Sequence, residues 1–400
     1  MQVNKVFVII SRRIYMILLV LNMTSCSNFK NDLSIPLDYS FDFYDSLVID
    51  LNSEGYSSSQ YSYGKFQGQD ILITNNHAFN SFSIYDLSNG NEIEVINLDK
   101  DDYQSKIPRG NGITGIYYHN EDSLFLMSYT YRLVLINLQK GAIQDIYNLN
   151  GESKGVNNNR VKIDNKYPFA FDGKYVLTTK IDDFYFQKKV FSVFDIEKKV
   201  STDFFDFPKM YEDKDQYLTG SWYQYINHYY DKKSGDLIFG FPIDHQLYRL
   251  NLASLKIETN ANIHAKPFHQ GHYYYVEDEG TMSEEDFYQS LKNIYNQYHY
   301  TNLMYDEKNK FYLRLIKHPT KSHIYDQTPT PQKYRSSDHS LVIYNDLLEI
   351  IGQALLPKHY FQIGLFEHSD IFFSNGLLYV RLVPLSDEKI IYYRYEILKN

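Results

Sequence analysis

Two stretches of this chain can be laid over each other. "DILITNNHAFNSFSIYDLSNGNEIEVINL", from Asp70, and "DSLFLMSYTYRLVLINLQKGAIQDIYNL", from Asp122, each open with a turn and a short apolar strand. Each continues with an alternating strand ending in Asp-Leu or Asn-Leu, a polar turn and a further strand, at an offset of 52 residues (Asp70 to Asp122). Looser copies follow: "GKYVLTTK" with "VFSVFDIEKKVSTDFFDF", "GDLIFGFP" with "QLYRLNLASLKIETNANI", "NKFYLRLIKHP" with "SLVIYNDLLEIIGQALL", and "NGLLYVRLVP" with "KIIYYRYEIL". Upstream strands such as "GITGIYYH" and "YPFAF" bring most units to four. Short strands with period-2 alternation, repeated about every 50 residues, predict an all-β, six-bladed β-propeller with four-stranded antiparallel blades. An open pair of β-sandwiches is the competing architecture.

The last unit ends one strand short, and "DSLVIDL" (Asp45 to Leu51) is an orphan strand before the first. Pairing the two would close the ring and hide both sheet edges. The 40 Tyr and 26 Phe suit half-buried pleated surfaces and agree with this reading. One segment breaks the pattern. "MSEEDFYQSLKNIYNQ" has Ser283 as N-cap, acids in the first turn, and Phe287, Leu291 and Ile294 on one face, which predicts a helix inserted in blade five. The polar stretch from Lys321 to Asp338 reads as a second insertion.

The N-terminal segment carries Lys5, Arg12 and Arg13, no acid, and the apolar run Ile14–Leu21. That is the layout of a secretory leader, and the run is too short to span a bilayer alone. Met23-Thr24-Ser25-Cys26 then resembles the bacterial lipoprotein lipobox, with Met23 in place of the commoner Leu. The resemblance implies a diacylglyceryl group on the sulfur of Cys26, the one cysteine, and cleavage before it. The expected organisation is a lipoprotein signal peptide over 1–25, a tether over 26–44 and the propeller over 45–400.

Without the first 25 residues, 37 basic side chains face 49 acidic ones. Such a body repels phosphate backbones, so no nucleic acid is expected as partner. Standard catalytic signatures are absent: HExxH, GxSxG, a P-loop, GxGxxG and an EF-hand loop. Asp86-Leu87-Ser88-Asn89-Gly90 reads as a tight turn rather than a calcium loop. His264, His269 and His272 fall within "HAKPFHQGH", with Glu277 and Asp278 downstream, but the spacing fits no standard zinc motif. No metal and no cofactor are expected. Arg314 and Arg381 stand at matching places in "YLRL" and "YVRL", each two residues after a tyrosine on the same face. Such a pair serves either as blade-to-blade bridges, the preferred reading, or as anion contacts near the axis. Arg109 and Asn111 in "IPRGNGITG", and Arg160 in "NNNR", lead into blades two and three. With His269, His272, Arg314 and Arg381 they are the candidate binding residues.

The lipobox followed by six degenerate four-stranded units resembles the TolB-like six-bladed β-propeller lipoproteins of the Bacteroidetes type, the domain-of-unknown-function 4221 family. The resemblance runs from Cys26 to the end of the chain. It implies a cell-envelope location, lipid-anchored in the outer membrane ahead of the inner, and offers no catalytic residues to carry over. The function expected is a membrane-anchored binding or scaffolding module for an envelope protein, a peptide or a glycan, and not an enzyme. The alternative is a metal-assisted propeller enzyme of lactonase or lyase type.

Overall fold

The computed structural model describes residues 38–51, 61–76, 81–98, 113–128, 132–149, 160–162, 169–181, 189–208, 226–242, 246–259, 299–318, 339–357, 371–382 and 389–400. The helices and strands among them are all strands, arranged in six antiparallel sheets. The first, β1 (Tyr39–Asp50), belongs to the last sheet. Blade one is β2 (Tyr61–Phe66), β3 (Gln69–Asn76), β4 (Ser81–Asp86) and β5 (Glu92–Asn97). Blade two is β6 (Ile113–Asn120), β7 (Ser123–Ser128), β8 (Arg132–Asn137) and β9 (Ala142–Asn148). Blade three has five pieces: β10 (Arg160–Lys162) and β11 (Phe169–Phe171) both pair with β12 (Tyr175–Ile181), followed by β13 (Lys189–Asp195) and β14 (Val200–Asp206). Blade four is β15 (Asn227–Asp231), β16 (Asp236–Gly240), β17 (Leu247–Asn251) and β18 (Lys256–Thr259). Blade five is β19 (His299–Asp306), β20 (Phe311–Lys317), β21 (His339–Tyr344) and β22 (Ile350–Leu355). Blade six is β23 (Ile371–Ser374), β24 (Leu377–Leu382) and β25 (Lys389–Lys399), completed by β1.

Alternation decides how the blades meet. Along β7, Leu124 and Leu126 pack toward blade one, while Phe125 and Met127 pack toward blade three. The core is therefore divided by boundary. Phe82 meets Leu126 between blades one and two, and Phe125 meets Phe194 between two and three. Phe191 and Phe239 join three to four, and Ile238 and Val342 join four to five. Leu313 and Val380 join five to six, and Leu72 and Tyr392 join six to one. Consecutive boundaries that return to blade one describe a closed ring, with each buried aliphatic or aromatic side chain contributing about 1.5–3 kcal/mol.

The repeated Asp-Leu and Asn-Leu pairs have a physical cause. In blade one the Asp86 carboxylate accepts the Ser88 N–H at 2.7 Å and the Asn89 amide at 2.9 Å, which holds the turn. The next residue, Leu87, is buried and donates its N–H to the Asp70 carbonyl of the preceding hairpin at 2.9 Å. Leu138 does the same to Asp122, Ile196 to Lys174, and Leu252 to Gly235. The "DLSNG" segment is thus a tight turn, as its composition suggests. Gly90 has φ +81°, and a Cβ there would run into the Val48 carbonyl of β1.

Ring closure is as the orphan strand predicts, and longer. β1 pairs antiparallel with β25 from Tyr39↔Lys399 to Asp50↔Lys389. It begins six residues ahead of Asp45, so residues 39–44 are sheet rather than tether. A bulge at Tyr44 explains why alternation concealed this: it shifts the phase, so the pattern cannot be followed across it. Before the bulge, Tyr39 and Phe41 pack on the five–six boundary; after it, Leu47 and Ile49 pack on the six–one boundary. Arg394 of β25 ties the closure together. It makes a two-pronged ion pair with Asp45 and donates to the Leu87 and Ser88 carbonyls of blade one at 3.0 and 3.2 Å. The helix expected from Ser283 and the insertion from Lys321 lie outside the described residues.

Candidate functional site

Side chains from β2, β6, β11, β15, β19 and β23, one strand per blade, line a single channel of about 720 Å³. These are the inner strands. Antiparallel alternation sends all six the same way along the axis, so the hairpins that follow them share one end. That volume is typical of a small-molecule or short-chain binding site.

Tyrosine dominates the wall: Tyr63, Tyr117, Tyr118, Tyr229, Tyr230 and Tyr305. Burial pushes the Tyr63, Tyr230 and Tyr305 hydroxyls up to about 12, and raises Tyr117 and Tyr229 well above the usual phenol value. All stay protonated near neutrality; the Tyr230 hydroxyl already donates to the Phe171 carbonyl at 3.1 Å and the Tyr305 hydroxyl to Asp346 Oδ1 at 3.4 Å, which leaves Tyr63, Tyr117 and Tyr229 as the donors of the wall. Tyr63 caps a stack, with Phe372 at 4.7 Å and Tyr379 a further 4.7 Å behind it. Tyr305 leans on Tyr229 at 5.3 Å and on Tyr312 at 4.7 Å. The tyrosine faces are thus held by packing rather than left to rotate.

Two histidines share the channel. His119 is pushed down to about 4 by burial, and further by the Lys232 charge; its Nδ1 is buried with no hydrogen-bond partner. Its ring sits edge-on to Phe171 at 5.0 Å. His228 is also lowered to about 4 by burial, against the opposing effect of its Nδ1 contact with the Ile226 carbonyl at 3.3 Å. Both imidazoles are therefore neutral. Thr301 lines the same wall, buried, with an unpartnered hydroxyl.

Charges gather at the hairpin end. Glu307 of blade five takes Lys65 of blade one at 3.4 Å and Lys233 of blade four at 3.6 Å. Lys232 reaches blade two, donating to the Tyr118 carbonyl at 2.8 Å and the His119 carbonyl at 2.5 Å, with its ammonium 5.3 and 5.2 Å from the Tyr117 and Tyr118 ring centres. Burial lowers it to about 8. Blade three, which lies between blades two and four, is the one this side chain bypasses. Among the described residues no three His, Asp or Glu side chains converge as metal ligands.

Of the candidate residues read from the sequence, those that the structure describes are not among the channel's lining residues. Cys26, Arg109, Asn111, His269 and His272 lie outside the described residues. Arg160 opens β10 opposite Ile181. Arg314 is fully buried and bridges blades: its Nε donates to Asn227 Oδ1 at 3.0 Å and its Nη2 to the Phe241 carbonyl at 2.7 Å, with the guanidinium 4.0 Å over Tyr300. Arg381 lies 5.9 Å from the Tyr61 ring of blade one. The two arginines are not equivalent, which corrects the sequence alignment. Arg314 is the fourth residue of β20 and Arg381 the fifth of β24. That single step turns one toward the preceding blade and the other toward the following one.

The sequence matches the family model of a domain of unknown function, DUF4221, over residues 39–354. Among solved structures, a DUF4221 member from Bacteroides vulgatus superposes with a TM-score of 0.64 at 16% identity, covering 91% of this chain and 99% of that one. A protein from Bacteroides fragilis, named as a candidate exported protein, superposes with a TM-score of 0.50 at 9% identity, covering 90% and 96%. No curated protein matches the sequence. At such identities the structural likeness speaks to the fold alone.

Proposed function

The chain belongs to the DUF4221 family, and from that premise we propose that it is a lipid-anchored binding module of the cell envelope whose ligand, a peptide or glycan segment, sits in the axial channel. The observation that carries this reading is the channel wall itself: six blades contribute to one cavity of about 720 Å³. Its tyrosine hydroxyls stay protonated and its imidazoles stay neutral, so the wall offers donors, acceptors and flat faces together. Anchoring is supported by the basic leader, the apolar run and the lipobox-like Met23–Cys26, and export by the name of the Bacteroides fragilis relative in fold.

Removing hydroxyls while keeping rings tests the site. Full-length protein and a Tyr63→Phe/Tyr229→Phe double variant are used to recover ligands from detergent-solubilised envelopes. The reading expects recovery by the parent and at least tenfold less by the variant, at equal thermal stability. Equal recovery by both would place binding outside the channel. Mass spectrometry of the mature N-terminal peptide tests the anchor: a diacylglyceryl group on Cys26 is expected, and a free thiol there contradicts it.

A further inference from the structure

Among the described residues no carboxylate pairs with Lys232. Glu307 already serves Lys65 and Lys233, and the Asp231 carboxylate accepts the Lys233 backbone N–H at 2.9 Å. The two hydrogen bonds of Lys232 go to backbone carbonyls. An ammonium has three N–H donors, so one is left over. The residue as a whole is exposed at the hairpin end of the channel, so that spare donor is open to an arriving anion. The groups that meet Lys232 are neutral: the Tyr117 and Tyr118 rings, the Tyr118 and His119 carbonyls and the His119 imidazole, all from blade two. Asp70, Glu121, Asp231 and Glu307 are the acids among the described residues of the same wall, and none of them forms an ion pair with Lys232.

We propose that Lys232 anchors a single carboxylate of the ligand, with the ligand body lying along the tyrosine wall toward Tyr63. The inference rests on the channel being the binding site and narrows the ligand to a monoanionic acid. One spare donor on one unpaired charge matches one carboxylate; a dianionic phosphate would bring a second negative charge with nothing to meet it. The carboxylate can belong to a peptide C-terminus or to a uronic acid, since the anchor chemistry is the same.

The test uses matched pairs on the intact protein: a tripeptide as free acid and as C-terminal amide, and a glucuronic-acid disaccharide beside its glucose counterpart, with binding followed by ligand-observed NMR. At least one acid is expected to bind tenfold or more tightly than its neutral partner, and which pair responds identifies the source. Lys232→Gln removes the charge while its amide can still reach the Tyr118 and His119 carbonyls. It is expected to erase the acid preference and leave the neutral partner's affinity within about twofold. Should that variant fold poorly, the parent protein gives the same answer by pH. Acid affinity is expected to fall above pH 8 as Lys232 discharges, until it meets the neutral partner's, which stays flat. Equal binding of acid and neutral partners, lost in Tyr63→Phe/Tyr229→Phe, overturns the anchor and leaves the channel as the site. Equal binding unaffected by that double variant, or no binding by any probe, overturns both.

Discussion

Arg314 offers the sharpest check on how the blades are joined. Replacing it by Met removes the guanidinium from a position with no solvent exposure and takes one donor each from Asn227 Oδ1 and the Phe241 carbonyl. Each buried bond lost in this way costs about 1–3 kcal/mol. Loss of the contact over Tyr300, at 4.0 Å, adds up to about 2 kcal/mol. Relief of a buried charge works the other way and recovers part of this. The balance is a destabilisation of about 2–4 kcal/mol, or about 3–5 °C in Tm for a ring of this size. Gly240 sharpens the test. A Cβ there would lie 2.7–2.9 Å from the Arg314 guanidinium atoms, so Gly240→Ala must push the arginine off its partners. Alone it is expected to cost about 1–3 kcal/mol. In the Arg314→Met background the obstruction is absent, and the same change is expected to cost little. Urea denaturation followed by fluorescence, run as a double-mutant cycle, should show a coupling of at least 1 kcal/mol. Strict additivity, or an Arg314→Met variant within 0.5 kcal/mol of the parent, would refute the bridge (both limits being about the usual error of such a cycle).

Acid titration should expose the channel histidines. His119 and His228 titrate near 4 when folded and near 6.5 when unfolded, so the unfolded chain takes up more protons between those values and stability falls as pH drops from 6.5 to 4. The slope is expected to be roughly 1.4 kcal/mol per pH unit for each, and His119→Gln/His228→Gln should flatten it; an unchanged slope counts against their burial. Lys317 works in the opposite pH range. Burial lowers it to about 7, so stability is expected to climb from pH 7 to 10, and Lys317→Met should abolish that climb in thermal melts. Asp86→Ala removes the cap of the blade-one turn and should cost about 1 kcal/mol by the same denaturation assay. An effect near zero would mean that the turn is held by its backbone alone.

What could be read in the sequence followed from what repeats. The Asp-Leu and Asn-Leu pairs, with Asp195-Ile196 in blade three, recur over the first four blades because a carboxylate or amide must hold each turn while the next N–H ties to the preceding hairpin, and the period of about 50 residues carried the count to six. The orphan strand at Asp45–Leu51 was recognisable because an unpaired edge needs a partner and the last unit lacked one. The bulge at Tyr44 hid the first half of that strand, and in blade three β11 was legible within "YPFAF" while the three-residue β10 was not. Arg314 and Arg381 misled because their motifs match while their registers differ by one residue. The channel residues were missed for another reason. Tyrosine is so common here that no single one stands out. A signal was present nonetheless: "YSYGK", "IYYHN", "NHYYD" and "LMYDE" each place tyrosine just before the first hairpin of a unit. Only the inner strand of a blade precedes that hairpin, so the coincidence of tyrosine and position marked the axis.

Hydrogen–deuterium exchange along β1 tests the closed ring most directly. If this strand zips the first residues of the ring to the last, amides from Leu47 to Asp50 exchange as slowly as those of their partners from Lys389 to Tyr392, and both are released together on unfolding. Exchange of β1 within seconds, while β25 stays protected, would mean that the ring is not held shut by its two ends.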